Sequence, residues 1–254
     1  MKPSLFIPVL FVLAACAAPI DKAPEKAFLQ PDYLHPDEAA SIANSNGRAR
    51  RTGDDLVLTF ADGHTKSFHN DDKGCEDGPD HCHSYVLATA LPNFHWFLVV
   101  ERFYEGGKFD LYDDRDGLTT ELPYGPVFSP DGQRILIQND DVTSEFPGDN
   151  LEIWRREGNR MEREWSANPD KSDTGVPRGM PYHSEVQSWQ GDRITLTFSE
   201  PGIYDLKTRT SAPERSWPAT LTREADGWHL RARAHRGKQQ ATNVCYFAGN
   251  ALVR

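Results

Sequence analysis

Positive charge is scarce in this 254-residue chain, which carries 28 Lys and Arg against 38 Asp and Glu and a formal net charge of −10. Nucleic-acid binding depends on cationic side chains that neutralise phosphates, so this balance disfavours DNA and RNA as partners. Long apolar runs are also scarce. Beyond the first 16 residues no uninterrupted apolar segment approaches the roughly 20 residues that a membrane-spanning helix needs, and we expect a soluble body.

Recognisable catalytic motifs are missing too. The sequence contains no Gly-x-Ser-x-Gly elbow, no His-Glu-x-x-His, no Gly-x-x-x-x-Gly-Lys loop and no Gly-x-Gly-x-x-Gly. Carboxylates are plentiful, but turns such as Asp113-Asp114-Arg115-Asp116-Gly117 are typical of solvated loops, and no spacing selects two acids as a catalytic pair. These absences favour a protein that is not an enzyme.

The N-terminus has the three parts of a secretory signal peptide: a basic residue, Lys2, an apolar core from Leu5 to Leu13, and small residues after it. Its end, Leu13-Ala14-Ala15-Cys16, resembles the lipobox of bacterial lipoproteins. The resemblance implies cleavage before Cys16 and acylation of its thiol, which would tether the protein to a membrane through lipid. The alternative is an ordinary signal peptide that is cut nearby and leaves Cys16 as a normal thiol.

The lipobox predicts a signal peptide (1–15). The Ala-, Pro- and charge-rich residues after it predict a lipidated N-terminus and tether (16–50), followed by a β-propeller-like folded domain (51–254). Ala17 stands where an Asp would retain a lipoprotein at the inner membrane, so the resemblance implies the outer membrane, facing the periplasm. A short helix over Pro36 to Asn44 is predicted because Asp37 and Glu38 favour its N-terminal dipole. We expect this helix to pack loosely or not at all.

Beyond residue 53 apolar and polar residues alternate with a period of two, which predicts strands. A turn followed by an apolar strand recurs near residues 53, 92, 130, 190 and 225, mostly about forty residues apart, as four-stranded propeller blades would. We therefore predict an all-β fold, a small β-propeller-like domain of about four to five antiparallel blades. A β-sandwich of meanders is the alternative.

The stretch Phe128-Ser129-Pro130-Asp131-Gly132 resembles the blade turn of the TolB-like and WD-repeat-like propeller family. Pro130 presets φ at the first corner, Asp131 can cap the turn with its side chain, and Gly132 can adopt positive φ. If the hairpins at 55–68 and 219–233 share a blade, the ring closes without a free strand edge.

The cysteines predict one disulfide. With Cys16 acylated, Cys75, Cys82 and Cys245 remain, and an exported protein can oxidise two of them. Cys75 and Cys82 flank Gly78-Pro79, which can reverse the chain, and a bridge between them would contribute roughly 2.5 kcal/mol. Cys245 remains open as a partner for either.

The same loop contains a possible metal site. If His81 and His83 enter a strand, their side chains share one face, and His69 could add a third ligand for Zn or Cu. The commoner interpretation is surface histidines on a stapled loop, for which no cofactor is needed.

Together these features predict a membrane-anchored periplasmic lipoprotein that acts as a non-catalytic binding or scaffold module for an envelope protein, peptide or glycan. Two alternatives remain open. One is an envelope hydrolase or lyase that uses His and carboxylates at the propeller mouth, and the other is a Zn- or Cu-handling protein that uses His81 and His83.

Overall fold

A computed structural model describes residues 28–71, 83–103, 106–139, 151–167, 183–200 and 215–232, with short strand pairs at 204–205 and 210–211 and at 247–248 and 251–252. The described residues form one short helix and four antiparallel sheets of three or four strands, besides the two short pairs. The predicted all-β fold is therefore confirmed, with four antiparallel sheets of three or four strands in the described residues. No helix within these residues is both long and apolar enough to cross a membrane.

Sheet 1 has three strands and sheets 2 and 3 have four, each joined to the next as a meander. The strands of sheet 1 are β1 (Ala49–Thr52), β2 (Asp55–Thr59) and β3 (Thr65–His69). Those of sheet 2 are β4 (Ser84–Leu91), β5 (Trp96–Phe103), β6 (Gly106–Asp113) and β7 (Thr119–Leu122). Those of sheet 3 are β8 (Pro126–Phe128), β9 (Arg134–Gln138), β10 (Leu151–Glu157) and β11 (Arg160–Ala167).

Sheet 4 is a meander with an insertion. Its strands, in spatial order, are β12 (His183–Gln190), β13 (Arg193–Glu200), β16 (Arg215–Glu224) and β17 (Gly227–Ala232). The short pair of β14 (Tyr204–Asp205) and β15 (Thr210–Ser211) lies within the connection from β13 to β16. A second short pair near the C-terminus consists of β18 (Phe247–Ala248) and β19 (Ala251–Leu252).

The sheets stack in chain order because the inner sheets are apolar on both faces. In β5, Phe97 and Val99 join the core shared with sheet 1, whereas Trp96 and Leu98 join the core shared with sheet 3. This is why the sequence of β5 is a continuous apolar run instead of an alternating one. Sheets 1 and 4 each contribute one apolar face, as Ile194 and its alternate neighbours in β13 do toward sheet 3.

The predicted repeat matches the sheets in four of its five positions. The turns near 53, 92, 130 and 190 each join the first and second strands of a sheet, namely sheets 1, 2, 3 and 4. The turn near 225 joins β16 to β17 within sheet 4 and therefore starts no fifth blade. The hairpins at 55–68 and 219–232 belong to sheets 1 and 4, so they do not share the closing blade that we had considered.

Helix α1 (Glu38–Asn44) packs tightly against sheet 2, contrary to the expected loose packing. Asp37 caps it by accepting a hydrogen bond from the Ala40 N–H at 2.9 Å. The buried Ser41 hydroxyl donates to the Ala88 carbonyl at 3.0 Å, and the Leu87 N–H donates to Glu38 Oε1 at 2.9 Å. The helix thus satisfies backbone groups on β4, the free edge of sheet 2, and protects that edge from pairing with other chains.

The chain before the helix contacts sheets 3 and 2. Leu29 pairs with Phe128 at the edge of β8, with the Phe128 N–H 2.8 Å from the Leu29 carbonyl. The Tyr33 hydroxyl donates to the Pro126 carbonyl, and its ring meets the edge of Phe109 at 5.3 Å. Residues 29–45, which we had assigned to the tether, therefore contact the sheets directly, and we call them the N-terminal strap.

Two acids at the turn between β6 and β7, Asp113 and Asp114, are buried, although we had expected the acids of this turn to be solvated. Asp113 is inaccessible to solvent and accepts hydrogen bonds from Arg115 Nη2 at 2.6 Å and from Arg156 Nη2 at 2.7 Å. The Arg156 guanidinium also lies 4.3 Å from the centroid of the Trp96 ring. Because Arg156 belongs to β10, this ion pair joins sheet 3 to sheet 2.

The neighbouring carboxylate makes the equivalent connection to sheet 1. Asp114 is buried, and its oxygens lie 3.1 Å from Arg48 Nη1 and 2.9 Å from His95 Nδ1. Its backbone carbonyl accepts from the Ala61 N–H at 2.8 Å. Adjacent acids in one turn therefore join three sheets.

Asp113→Asn should lower the free energy of unfolding by about 3 kcal/mol, because the buried Arg156 guanidinium would lose its charged partner. Denaturant unfolding of the full chain measures the loss. Asp116→Asn is the matched control from the same turn. Asp116 is exposed, and its replacement should cost well under about 1 kcal/mol. Equal losses in the two variants would contradict the assigned role of the buried pair.

Candidate functional site

The turn that resembles a propeller blade motif is held by its own side chains. The Ser129 hydroxyl donates to Asp131 Oδ1 at 2.7 Å, which also accepts from the Gln133 N–H at 3.0 Å. Burial opposes ionisation of Asp131, but these two hydrogen bonds hold its pKa below the usual value. Gly132 has φ +65°, and a Cβ there would lie 2.3 Å from the Phe94 ring. Pro130 is exposed at the corner.

A narrow groove of about 300 Å³ lies between this turn and the turn that joins β12 to β13. Ser129 and Trp189 line it, and the carboxylates of Asp131 and Asp192 lie on either side. Arg134 also lines the groove and connects it to an ion cluster at the seam of sheets 3 and 4. Arg134 Nε donates to Glu164 Oε2 at 2.9 Å.

Glu164 bridges the two sheets. Its second oxygen lies 3.2 Å from Arg223 Nε on β16, and the Arg134 guanidinium lies 5.9 Å from the Trp228 ring on β17. Burial raises the pKa of Glu164, but the hydrogen bond from Arg134 and the positive charges of Arg134 and Arg223 together outweigh it and leave the pKa below the usual value. A carboxylate with a lowered pKa in the folded state stabilises that state above the unfolded pKa, and the contribution disappears as pH falls.

Glu164→Gln should therefore cost about 1–2 kcal/mol of stability at pH 7, and the difference from wild type should shrink as pH falls from about 5 to 3. Urea unfolding across that pH range measures both effects. Glu162→Gln, on the exposed side of the same strand, should change stability by less than about 0.5 kcal/mol at either pH. A constant difference across the range would show that the charge of Glu164 is not responsible.

Sheet 2 has a polar surface under the edge strand of sheet 1, β3, and we call this surface the shelf. It shares a face with Val99 and Tyr112, which pack in the core between sheets 1 and 2, because side chains two apart on a strand point the same way. The register places Tyr85 opposite Glu101, Glu101 opposite Lys108, and Asp110 opposite Glu121. The shelf consists of these five residues, Tyr85, Glu101, Lys108, Asp110 and Glu121.

Asp110 is the most perturbed carboxylate of the shelf. Its Oδ2 accepts a hydrogen bond at 3.4 Å from Tyr112, whose hydroxyl accepts one from Lys66 Nζ at 3.0 Å. Its Oδ1 is buried and accepts no hydrogen bond from the described residues, since Lys108 Nζ lies 3.6 Å away. Burial raises the pKa of Asp110 above the usual value. The same burial raises the pKa of Tyr112.

The other shelf carboxylates have closer partners. Glu101 Oε1 lies 2.9 Å from the Tyr85 hydroxyl and 2.9 Å from His83 Nδ1. Burial raises the pKa of Tyr85 most, and the hydrogen bond with Glu101 is the second cause. Glu121 lies 2.9 Å from Lys108 Nζ, and that hydrogen bond raises the pKa of the lysine.

The edge strand β3 lies directly over the shelf. The Phe68 ring is 5.4 Å from Tyr85 and 5.6 Å from Tyr112. The hydrogen bonds from Phe60 N to His64 O and from Asn70 N to Asp54 O flank the pair of β2 and β3. Because alternate residues bond to the same neighbour in an antiparallel pair, the backbone groups of Lys66 and Phe68 also bond to β2. The backbone groups of the alternate residue Ser67 therefore point away from β2, and no described strand pairs with β3 on that side.

The two described histidines of the predicted metal site each contact a different acid. His83 contacts Glu101, whereas His69 Nδ1 lies 2.8 Å from Asp55 Oδ1, a hydrogen bond that raises the pKa of His69. Asp71 N donates to the His83 carbonyl at 2.9 Å, so the residues that flank 72–82 are paired. The remaining predicted positions, Cys16, Cys75, His81, Cys82 and Cys245, lie outside the described residues.

Within the described ranges, the acids and histidine close enough to hold a metal ion are Glu224, Asp226 and His229, whose ligand atoms lie within 4.8 Å of one another. They belong to the hairpin of β16 and β17, and both acids are exposed. His229 Nε2 lies 2.7 Å from Asp226 Oδ1, and Glu224 bonds to Arg231. No sequence motif marks this group, because its spacing matches no known ligand pattern.

Comparison with known proteins assigns no function to any of these residues. No protein-family model, curated protein or solved structure matches this chain.

The sequence predicted the turn at Ser129-Pro130-Asp131-Gly132, which the structure places between β8 and β9, but it did not predict the shelf. Its signal lies in β5 and β6, where Glu101 and Asp110 occupy positions that continue the buried alternation of Val99 and Tyr112. A carboxylate in register with core residues is unusual enough to mark the surface.

Proposed function

We propose that this protein is a lipid-anchored module of the bacterial cell envelope that binds an extended segment of an envelope protein or peptide along β3. The observation that carries the proposal is the edge of sheet 1, which has three strands among the described residues where sheets 2, 3 and 4 have four. A bound segment would add the fourth strand. Backbone hydrogen bonds would then supply affinity, and alternate side chains would reach the shelf.

The surroundings of β3 suit such an addition. Its outward side is polar, with Thr65, Ser67 and His69 exposed, so the free edge stays soluble without a partner. Its inward side is fixed to sheet 2 by Phe68 and by the hydrogen bond from Lys66 to Tyr112. A rigid edge loses little conformational entropy when a partner binds, which favours recognition by a preformed site.

The anchor follows from the lipobox and brings the module close to a membrane. Phe28 packs against the core between sheets 3 and 4. A fully extended chain from Cys16 to Phe28 spans at most about 40 Å. A partner within the envelope would therefore meet β3 near the membrane surface.

Cys16→Ala should move the protein from the membrane fraction to the soluble fraction, because it removes the proposed site of acylation. Fractionation of cells that express the full chain, followed by immunoblotting, measures the change. Cys245→Ala is the matched control and should remain with the membranes. A Cys16→Ala protein that stays fully bound to membranes would overturn the lipid anchor.

Ser67→Pro should abolish or weaken peptide binding by at least about tenfold, since proline removes an outward N–H that strand addition requires. The test is selection of random linear nonapeptides on the full chain in detergent, followed by affinity measurement for the selected peptides. Ser67→Ala keeps the backbone donor and should bind like wild type, and thermal unfolding checks that both variants are folded. Failure to select any peptide, or equal affinity in Ser67→Pro, would contradict the proposal.

A further inference from the structure

We propose that the shelf recognises a basic side chain, so that the segment bound along β3 carries a lysine or arginine whose cationic group contacts Asp110. This inference rests on the proposed function and specifies which segments the site accepts. It combines the open edge of β3 with an incompletely satisfied carboxylate on the sheet surface below that edge.

Asp110 is the shelf carboxylate with a buried oxygen, Oδ1, that accepts no hydrogen bond from the described residues. Glu101 already accepts from the Tyr85 hydroxyl and contacts His83 at 2.9 Å, and Glu121 contacts Lys108 at 2.9 Å. The Oδ1 atom of Asp110 is buried without a hydrogen-bond donor among the described residues. A buried acceptor that is left unsatisfied is costly, and a charged donor that reaches it would recover that cost.

The nearby lysines are committed to other groups. Lys66 Nζ donates to the Tyr112 hydroxyl at 3.0 Å and lies 4.6 Å from the centroid of that ring. Lys108 Nζ lies 2.9 Å from Glu121 but 3.6 Å from Asp110 Oδ1, which is beyond hydrogen-bond distance. The shelf therefore retains an excess of negative charge at Asp110, which a cation from a partner would complement.

The register of strand addition places side chains of the bound segment over the shelf. Residues directly opposite each other on paired strands project to the same face. Lys66 and Phe68 project toward sheet 2, so the partner residues opposite them do so too. A cation opposite Lys66 would face a like charge, and the basic residue is therefore expected opposite Phe68.

The probes are fluorescently labelled nonapeptides of alternating Thr and Val that carry Lys, Arg, norleucine or Glu at the central position. Their affinities for the full chain in detergent are measured by fluorescence anisotropy. Wild type should bind the Lys and Arg peptides at least about tenfold more tightly than the norleucine peptide, and the Glu peptide most weakly. Asp110→Asn should remove this preference, whereas Asp192→Asn, an exposed carboxylate on sheet 4, should retain it.

Two outcomes distinguish this inference from the proposed function. If all four peptides bind wild type equally and Ser67→Pro weakens them all, strand addition stands and recognition of a basic group is overturned. If none of them binds wild type, both are overturned. If Asp110→Asn fails to fold, a salt titration of the wild type takes its place. The ratio of the affinity of the Lys peptide to that of the norleucine peptide should fall several-fold between 50 and 500 mM NaCl. An advantage independent of salt would overturn the inference.

Discussion

The buried pair of acids in the β6–β7 turn fixes how the first three sheets meet. Asp113 and Asp114 are buried away from water, so cations from elsewhere in the chain must compensate their negative charges. Those cations come from sheet 3, as Arg156, and from the residue before β1, as Arg48. Apolar contacts between sheets tolerate sliding, whereas a buried ion pair has one favourable geometry. The network therefore specifies the order and offset of the sheets, on which the position of β3 over the shelf depends.

The N-terminal strap covers two strand edges that would otherwise be exposed, β4 of sheet 2 and β8 of sheet 3. Leu29 pairs with β8, and α1 supplies Glu38 and Ser41 to the edge of β4. Covering these edges prevents pairing with other chains. From Thr65 to His69 the edge of β3 receives no such cover from the described residues, and this contrast makes it the natural place for a partner. Beyond His69 the same edge is already paired, since the Asp71 N–H donates to the His83 carbonyl.

Much of the fold could be predicted because its signals are local. The period of two, the apolar run of β5 and the turn around Asp131 each reflect neighbours in sequence, and the four sheets follow them. The burial of Asp113 could not be predicted, since its partner Arg156 is distant in sequence. The shelf was missed for the same reason: whether Asp110 is solvated depends on where β3 crosses sheet 2. The lipid at Cys16 and the disulfide of Cys75 and Cys82 remain predictions from sequence.

The meander topology has a consequence for how the chain folds. Each of sheets 1, 2 and 3 is built from one continuous segment, so its strands find their partners over short loops and pay little loop-closure entropy. Such sheets can form one after another as the chain emerges from synthesis or transport. The strap cannot follow that order, because Leu29 and Tyr33 contact Phe128 and Pro126, which are made about a hundred residues later. The N-terminal strap is therefore synthesised before the sheets but is among the last segments to form its contacts.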